Sequence, residues 1–346
     1  MADVIVLCAG ASSRFTNTRP KWLLTHPNGR PMFARATDGL AYGSADVYVV
    51  CVKDHLEKYK VTESDIQRHI PGARLIVFDQ PTRSQAESAI LAVEKIQPQG
   101  AFFFKDCDSY FKHEVQDENC IVTSEIGPAP IHDLQSKCFV QSNSVGSIHN
   151  IVEKRVVSGE FAVGGYGFRS CKVFKKCTEG LEFTKGELFL SHLVFNGLGQ
   201  GEFFKSAKTT AYEDYGTPQA LRAEQARYGA LFVDLDGTLL ESAGELTERR
   251  WGSSGALAEN IQKIQSLHAT GRYQIIITTA RPESIRAETV AELERHCIPF
   301  QQLIMGLLNA PRHLINDRGP NSPQMASATE VPRDTDCLNF RLSDLK

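Results

Sequence analysis

A short apolar run near the N-terminus leads into a loop whose composition suits phosphate binding. Val4 to Leu7 is typical of a buried strand, and small residues follow it up to Ser13, then Arg14. Lys21 stands seven positions later, behind a proline. Small side chains let backbone N–H groups approach phosphate oxygens. The planar guanidinium of Arg14 and the compact ammonium of Lys21 would add two positive charges for phosphate binding. The stretch therefore predicts a nucleotide-phosphate site, against the alternative of a tight strand-to-helix turn with two incidental cations.

Two carboxylates stand where a metal ion could serve nucleotide transfer. Asp108 follows the apolar run Ala101 to Phe104, and Asp214 lies in Glu-Asp-Tyr-Gly-Thr-Pro. Attack of a phosphate oxygen on the α-phosphorus of an NTP brings two anions together, and Mg²⁺ held by carboxylates neutralises their charge. We therefore expect Mg²⁺ as a cofactor, with Asp106 as an alternative ligand to Asp108.

Alternating elements are predicted to bring these residues to one edge of a parallel sheet. Apolar runs predict strands at 46–52, 74–78 and 101–104. Periodic stretches predict helices at 31–43, from 84 onward and at 186–195. Ser84 with Glu87 forms a predicted capping box at the start of one helix. Ligands of such a sheet gather at the carboxyl ends of its strands, where the N-terminal loop, Gln80 and Asp108 all lie.

These features resemble the sugar-phosphate nucleotidyltransferases over about residues 1–220. Glu153-Lys154 resembles the pair whose lysine contacts the acceptor's phosphate, and Gly164-Gly165 resembles the strand that borders the acceptor. The resemblance implies a Rossmann-like (GT-A-like) domain, with Arg14 and Lys21 catalytic and Asp108 and Asp214 holding the metal. It implies nucleotide contacts from Leu7, Ala9, Gly10, Ala11, Ser12, Ser13, Gln80, Ser84 and Asp106, and acceptor contacts from Glu153, Lys154 and Gly165.

A second motif, Asp234-Leu-Asp236-Gly-Thr after an apolar strand, resembles the first motif of the haloacid-dehalogenase (HAD) superfamily of phosphohydrolases. The resemblance implies that Asp234 is a nucleophile forming an aspartyl-phosphate and that Asp236 is a general acid and base. Thr279, after the run from Tyr273, matches the second motif. Asp317 matches the acidic fourth motif and would complete a Mg²⁺ site with Asp234 and Asp236. The alternative is an ordinary Asp-rich turn.

Each resemblance has departures. Ala9 and Ser12 stand where many nucleotidyltransferases carry glycine. In the second motif set, Leu307 occupies a position where a phosphate-stabilising lysine is common, and Arg312 or Arg281 are the candidate substitutes. The stretch between Thr238 and residue 255 leaves little room for a large cap over the second site.

The second half of the chain predicts a separate small α/β unit. Strands are expected from Ala230 and Tyr273 and near Leu303 and Leu314, with helices at 255–268 and up to residue 296. Thr217 and Pro218 are set up as N-cap and first residue of a linking helix. At 346 residues, two domains are the natural expectation. We predict a nucleotidyltransferase domain at 1–220, a short linker at 221–229 and a small, largely capless HAD-like Rossmannoid domain at 230–346.

Composition narrows the class of protein. A hydrophobic fraction of 42% and a net charge of −3 suit a globular protein and argue against nucleic-acid binding. No apolar run approaches the length of a membrane helix, and the N-terminus lacks the layout of a secretory signal. The nine cysteines contain no C-x-x-C pair, which argues against structural zinc. We expect a cytoplasmic, reduced protein that is compatible with oligomerisation.

The resulting hypothesis is a bifunctional enzyme. Its first domain would transfer a nucleotidyl group from a pyrimidine NTP, CTP or UTP, to a phosphorylated sugar or polyol and release pyrophosphate. Its second would hydrolyse a phosphate monoester, and the resemblance implies products that feed capsule, lipopolysaccharide or other glycan assembly. One alternative keeps the phosphatase and makes the first domain a nucleotide sensor. Another keeps the transferase and makes the second domain a degenerate docking module.

Overall fold

The structure is a computed structural model that describes residues 1–10, 12, 14–15, 18–127, 134–181, 187–242, 251–317 and 324–338. The chain divides into two compact units, Met1–Glu224 and Gln225–Lys346.

The first unit is a mixed α/β structure. Its strands are β1 (Asp3–Leu7), β2 (Leu40–Ala41), β3 (Val47–Val52), β4 (Arg74–Phe78), β5 (Phe102–Asp106), β6 (Ser109–Phe111), β7 (His113–Glu114), β8 (Cys120–Glu125), β9 (Cys138–Ser142), β10 (Ile148–Glu153), β11 (Glu160–Phe168), β12 (Lys205–Lys208) and β13 (Tyr212–Asp214). Its helices are α1 (Met32–Thr37), α2 (Lys53–Tyr59), α3 (Glu63–Gln67), α4 (Gln85–Ile96), α5 (Cys171–Thr178), α6 (Leu190–Gly199) and α7 (Pro218–Gln225).

The main sheet has the order β10-β9-β11-β5-β1-β3-β4, and β8 pairs with both β11 and β12. Strands β5, β1, β3 and β4 are parallel, whereas β11 runs antiparallel to β5. Strand β1 is apolar on both faces: Ile5 and Leu7 pack into one hydrophobic cluster, and Val4 and Val6 into another. A parallel strand buried on both faces reads as a continuous apolar run, so these strands were visible in the sequence. The expected α/β fold of this region is confirmed.

Two predicted helices differ from the observed ones. The helix expected at 31–43 ends at Thr37, after which the chain forms β2 and pairs with β7. Between α1 and β2 the backbone passes close to β6, and a Cβ at Gly39 would lie 2.1 Å from the carbonyl oxygen of Phe111. The helix expected at 186–195 is α6, which begins at Leu190, and residues 182–186 lie outside the described part of the chain.

A two-stranded ribbon joins distant segments of the first unit. Strand β13 pairs antiparallel with β6, with Asp214 opposite Ser109. The backbone N–H of Tyr215 donates to the carbonyl oxygen of Asp108 at 2.8 Å. The pairing therefore sets Asp214 beside the turn that carries Asp108.

The second unit is a small parallel sheet with helices. Its strands β14 (Gly229–Asp234), β15 (Tyr273–Thr278) and β16 (Gln302–Ile304) are adjacent in that order, and its helices are α8 (Ala258–Ala269) and α9 (Arg286–Arg295). Helix α8 packs its buried Ile261, Ile264 and Leu267 against this sheet. The strand predicted near Leu314 is wrong: residues 311–317 form no strand, and Ile315 is 93% exposed. An apolar run of that kind becomes a strand only where a neighbouring edge is available to pair with it.

Among the described residues, no helix combines the length and the apolar character that a bilayer crossing requires.

Candidate functional site

A cavity of about 380 Å³ opens at the carboxyl ends of β1 and β5 in the first unit. The N-terminal loop forms one wall with Leu7, Gly10, Ser12 and Arg14. Ala9 lies beneath the wall, fully buried, and its carbonyl oxygen accepts from the backbone N–H of Thr82. Ala11 and Ser13, also predicted to contact the nucleotide, lie outside the described residues.

The loop and the following lysine are connected directly. Ser12 has a φ of 52°, in the left-handed region that glycine favours, at a position where the resemblance leads one to expect glycine. Its hydroxyl accepts from the backbone N–H of Lys21 at 3.0 Å. The Lys21 ammonium in turn donates to Asp108 Oδ2 at 2.5 Å. The predicted phosphate-binding lysine and the predicted metal ligand are therefore in contact.

This ion pair has clear electrostatic consequences. Burial alone would lower the pKa of Lys21, but the Asp108 carboxylate raises it above its usual value. Burial alone would raise the pKa of Asp108, but Lys21 lowers it below its usual value. Both groups are therefore charged at neutral pH.

Asp214 and Asp108 face a common point above Gly216. A Cβ at Gly216 would lie 3.0 Å from Asp108 Oδ2 and 3.2 Å from Asp214 Oδ1. This cradle is open only because residue 216 has no side chain, and two converging carboxylates plus phosphate oxygens are the ligands that Mg²⁺ prefers. The donor set therefore fits the expected Mg²⁺, although the described residues contain no cluster of three or more His, Cys, Asp or Glu suited to a metal ion.

Asp106, the alternative ligand, has a different environment from Asp108. Its Oδ1 accepts from the side-chain amide of Gln85, and its carboxylate lies within 2.6 Å of where a Cβ of Gly164 would be. Burial, together with the Asp108 charge, raises the pKa of Asp106 to about 6. Asp106 therefore faces Gln85 and Gly164, whereas Asp108 faces Asp214 across the Gly216 cradle.

Helix α4 begins at the cavity. Ser84 is its N-cap and accepts from the backbone N–H of Glu87 at 3.2 Å, as the sequence predicted. The reciprocal half of the capping box is absent, because the Glu87 carboxylate accepts instead from the backbone N–H and guanidinium of Arg83. Ser84 and Gln85 line the cavity, whereas Gln80, the expected base-reading residue, is exposed and outside the lining.

The predicted acceptor residues separate into three positions. Glu153 lines the cavity and accepts from the hydroxyl of Ser191. Lys154 is outside the lining; its Nζ lies 3.8 Å from Glu187 at a side chain that is 48% exposed. Gly165 faces the core, since a Cβ there would lie within 2.9 Å of three apolar side chains, and Gly164 is the glycine that lines the cavity. Gly165, predicted to contact the acceptor, is therefore not part of the cavity wall, and Gly164 takes its place there.

In the second unit, three predicted residues meet at the ends of two neighbouring strands. Asp234 ends β14 opposite Thr278 of β15. The hydroxyl of Thr279 donates to Asp236 Oδ2 at 3.1 Å. Burial raises the pKa of Asp234, an effect that Arg312 partly opposes. Parallel pairing therefore brings the Asp-Leu-Asp turn and the threonine motif together.

Both candidate arginines lie in this second site. Arg312 Nη1 is 2.8 Å from Asp234 Oδ1. Arg281 is buried; its Nη2 donates to Asp236 Oδ1 at 2.7 Å and its Nη1 to Glu292 at 2.5 Å. Leu307 is close through its backbone, whose N–H donates to the Thr279 carbonyl oxygen.

Asp317, expected to complete a metal site, is exposed at the end of residues 311–317. Within the described chain, no hydrogen bond or ion pair joins it to Asp234 or Asp236. The three-carboxylate metal site predicted for this unit is therefore not assembled from the described residues.

Two lysines of the first unit were not predicted. Lys137 lines the cavity, donates to the hydroxyl of Tyr212 at 3.0 Å and pairs with Asp214. Lys105 is fully buried beneath the Asp106–Ser109 turn, where its ammonium donates to the carbonyl oxygens of Asp106 and Ser109 at 2.7 and 2.8 Å. The burial of Lys105 could have been expected from the sequence, because this lysine directly follows a run of three phenylalanines in a predicted buried strand. Lys137 lies in a stretch with no local pattern.

Comparison with known proteins bears on the first unit. Residues 4–117 match the MobA-like NTP transferase domain. The chain is similar in structure to a nucleoside-diphosphate-sugar pyrophosphorylase from Vibrio cholerae RC9, with 18% identity, a TM-score of 0.54, and coverage of 64% of this chain and 99% of that one. A comparison with curated protein sequences found no match.

Two further solved structures have the same kind of fold. They are an inositol-1-phosphate CTP transferase from T. maritima (17% identity, TM-score 0.52, 65% of this chain, 95% of that chain) and a UDP-glucose pyrophosphorylase complexed with UDP-glucose (15%, 0.51, 65% and 98%). At these identities the likeness establishes the fold alone, a Rossmann-like domain within a mixed α/β chain.

Proposed function

We propose that the first unit transfers a nucleotidyl group from an NTP, with a pyrimidine base, to a phosphorylated sugar or polyol and releases pyrophosphate. The observation that carries the proposal is the convergence of Asp108 and Asp214 on the Gly216 cradle, in the cavity that also holds Lys21. The match of residues 4–117 and the fold of the structural neighbours support it.

Each residue has a role that follows from its position. Asp108 and Asp214 would hold Mg²⁺, which neutralises charge on the two reacting phosphates when bound. Lys21 and Arg14 lie on the wall formed by the N-terminal loop and would bind the NTP phosphates. The N-terminus of α4, with Ser84, adds a favourable dipole for an anion at the same wall.

The test is a thermal-shift series with CTP, UTP, dTTP, GTP and ATP, each with excess Mg²⁺, followed by a screen of phosphorylated acceptors for pyrophosphate release. A ligand at 100 times its Kd stabilises the folded unit by about 2.7 kcal/mol. Asp108→Asn should reduce transfer on the order of 10³-fold, because the metal loses a ligand. Asp117→Asn, at an exposed carboxylate paired with the N-terminus, is the matched control. Absence of any NTP-dependent shift would refute the proposal.

We further propose that the second unit hydrolyses a phosphate monoester through Asp234. The specific observation in favour is that Asp234, the Asp236–Thr279 pair and Arg312 meet at the ends of β14 and β15. In the first step an Asp234 oxygen would bond to phosphorus as the bond to the ester oxygen breaks, and the released alkoxide or phenolate would take a proton from solvent. Water would then attack the aspartyl-phosphate, releasing inorganic phosphate and restoring the Asp234 carboxylate. Arg312 would take the place of the lysine absent at Leu307.

An aryl phosphate with Mg²⁺ tests this second activity directly. Release of the aryl alcohol that is lost in Arg312→Gln would support it. No turnover by a folded wild-type protein would favour the docking-module alternative. The two activities together would suit synthesis of nucleotide-activated glycan precursors in the cytoplasm.

A further inference from the structure

Lys137, one of the two lysines that were not predicted, lines the cavity just before β9, which β11 and β5 separate from β1 and its N-terminal loop in the main sheet. The described lining residues include four cations, of which Arg14, Lys21 and Arg83 come from the loop wall and the segment before α4. The guanidinium of Arg83 is engaged by Glu87 and is 69% exposed. Lys137 is the fourth of these lining cations and comes from neither of those segments.

The backbone of Lys137 is fixed on both sides. Its N–H donates to the carbonyl oxygen of Leu134, and its own carbonyl oxygen accepts from the N–H of Lys154 at 2.9 Å. The side chain is only 13% exposed and its Nζ contacts the Tyr212 hydroxyl and Asp214. An ammonium has three donors, and these two partners leave one for a ligand. The charge is therefore held at a defined place beside the candidate metal ligand.

Lys154 differs in each respect. Its side chain is half exposed, its Nζ points to Glu187 and lies 4.8 Å from the centre of the Phe189 ring, and it does not line the cavity. In nucleotidyl transfer the acceptor phosphate must come within bonding distance of the α-phosphorus, beside the metal. Lys137, not Lys154, has its charge at that place.

We propose that Lys137 binds the phosphate of the acceptor, and that this contact selects a phosphate monoester over an unphosphorylated alcohol. The inference deepens the proposed function and rests on it. The two anionic reactants approach each other between Lys21 and Lys137, and each lysine stands beside one of the two carboxylates. Lys154 then serves the rim, outside contact with the reacting phosphate.

Inorganic phosphate is the probe, because the acceptor is unidentified. Calorimetric titrations at constant ionic strength would use the full chain with Mg²⁺ and α,β-methylene-CTP, which occupies the nucleotide wall without reacting. We expect saturable phosphate binding by the wild type and at least about tenfold weaker binding by Lys137→Met, since a hydrogen bond to a charged group is lost. Lys137→Arg should retain most of the affinity, and Lys154→Met should change it by no more than a few-fold.

The matched control is Lys208→Met, which removes one exposed lysine charge paired with Glu125, away from the cavity. If Lys137→Met does not fold, Lys137→Gln and Lys137→Arg make the same comparison. Phosphate affinity that depends on Lys154 and not on Lys137, or no saturable binding by the wild type, would overturn the inference. If the CTP analogue and the other NTPs fail to bind while Lys137→Met still weakens phosphate binding, the proposed function fails and the phosphate site stands.

Discussion

The two units hold their paired aspartates in different ways. In the first, Asp108 and Asp214 are each bound by one lysine, and their carboxylates converge on an open cradle. In the second, the buried Arg281 donates hydrogen bonds to both carboxylate oxygens of Asp236 and also pairs with the buried Glu292. A lysine is a point charge that leaves carboxylate oxygens accessible, whereas an arginine fork occupies both.

The carboxylates of the two units therefore differ in how many of their oxygens a buried cation occupies. Asp214 directs Oδ1 at the Gly216 cradle, where this oxygen accepts from the Gly216 backbone N–H at 2.9 Å, while Lys137 pairs with Oδ2. Both oxygens of Asp236 accept hydrogen bonds, from Arg281 and from Thr279, and these bonds fix the position of its carboxylate. Asp234 pairs with the half-exposed Arg312 and is itself 35% exposed, so it is more accessible than Asp236.

The largest expected effect separates the two sites chemically. Asp234→Asn should reduce hydrolysis of an aryl phosphate at least about 10⁴-fold, because the amide cannot serve as the nucleophile. Nucleotidyl transfer, measured by pyrophosphate release, should stay within a few-fold of wild type. Collapse of both activities in a variant with wild-type circular dichroism would contradict the two-site interpretation.

The second prediction concerns the stability of the two ion-pair systems. Arg281→Met should destabilise the second unit by about 3–5 kcal/mol, because it strands the fully buried Glu292 and leaves Asp236 unpaired. Lys21→Met should cost the first unit less, about 2 kcal/mol, because it removes a hydrogen bond between two charged groups whose side chains are 24% and 19% exposed. The tryptophans allow separate readings, since Trp22 belongs to the first unit and Trp251 to the second.

Urea unfolding followed by fluorescence would use Trp22→Phe as the background for the second unit and Trp251→Phe for the first. Equal losses for the two substitutions would remove the distinction between a buried arginine fork and a lysine point charge.

The buried cations of the two units should also respond differently to pH. Burial lowers the pKa of Lys105 from 10.5 to about 8. Below about pH 8 the penalty for a charged buried lysine is fully present; between 8 and 10.5 the folded state has released a proton that the unfolded state still binds. The free energy of unfolding of the wild type should therefore rise relative to Lys105→Met across this interval, by about 3 kcal/mol in total.

The measurement is urea unfolding of the first unit from pH 7 to 10.5, with Lys105→Met as reference so that other titrating groups cancel. The corresponding difference between wild type and Arg281→Met in the second unit should be flat with pH, because a guanidinium stays protonated. A flat difference for Lys105 as well would mean that its ammonium is as well compensated as that of an exposed lysine.

Local patterns predicted much of the fold and part of each site. The apolar runs of β1, β3 and β5 were visible because these strands are buried along almost all of their length. The caps at Ser84 and Thr217 depend only on neighbours in sequence. The Gly216 cradle depends on the pairing of β6 with β13, which no local pattern encodes. The Lys137 contact depends on the same pairing. Resemblance located Asp108 and Asp214, but only the register showed that they converge.

The smallest predicted effect tests this contrast between local and distant contacts. Helix α4 is capped by Ser84, immediately before it, whereas α8 has no capping side chain at Leu257 and is capped instead by Asp336, whose oxygens accept from the N–H groups of Glu259 and Asn260 at 2.8 and 2.6 Å. Ser84→Ala should destabilise the first unit by about 1 kcal/mol.

Asp336→Ala should cost the second unit about 1–2 kcal/mol, because it removes two hydrogen bonds and a charge that favours the helix dipole. It should also speed hydrogen exchange in residues 331–338, whose backbone is tied to α8 through Asn260. Ser84→Ala has no such distant effect, because its partners lie within α4. Exchange at 331–338 that is unchanged in Asp336→Ala would mean that the segment is held by its apolar contacts, Val331 and Leu338, rather than by the cap.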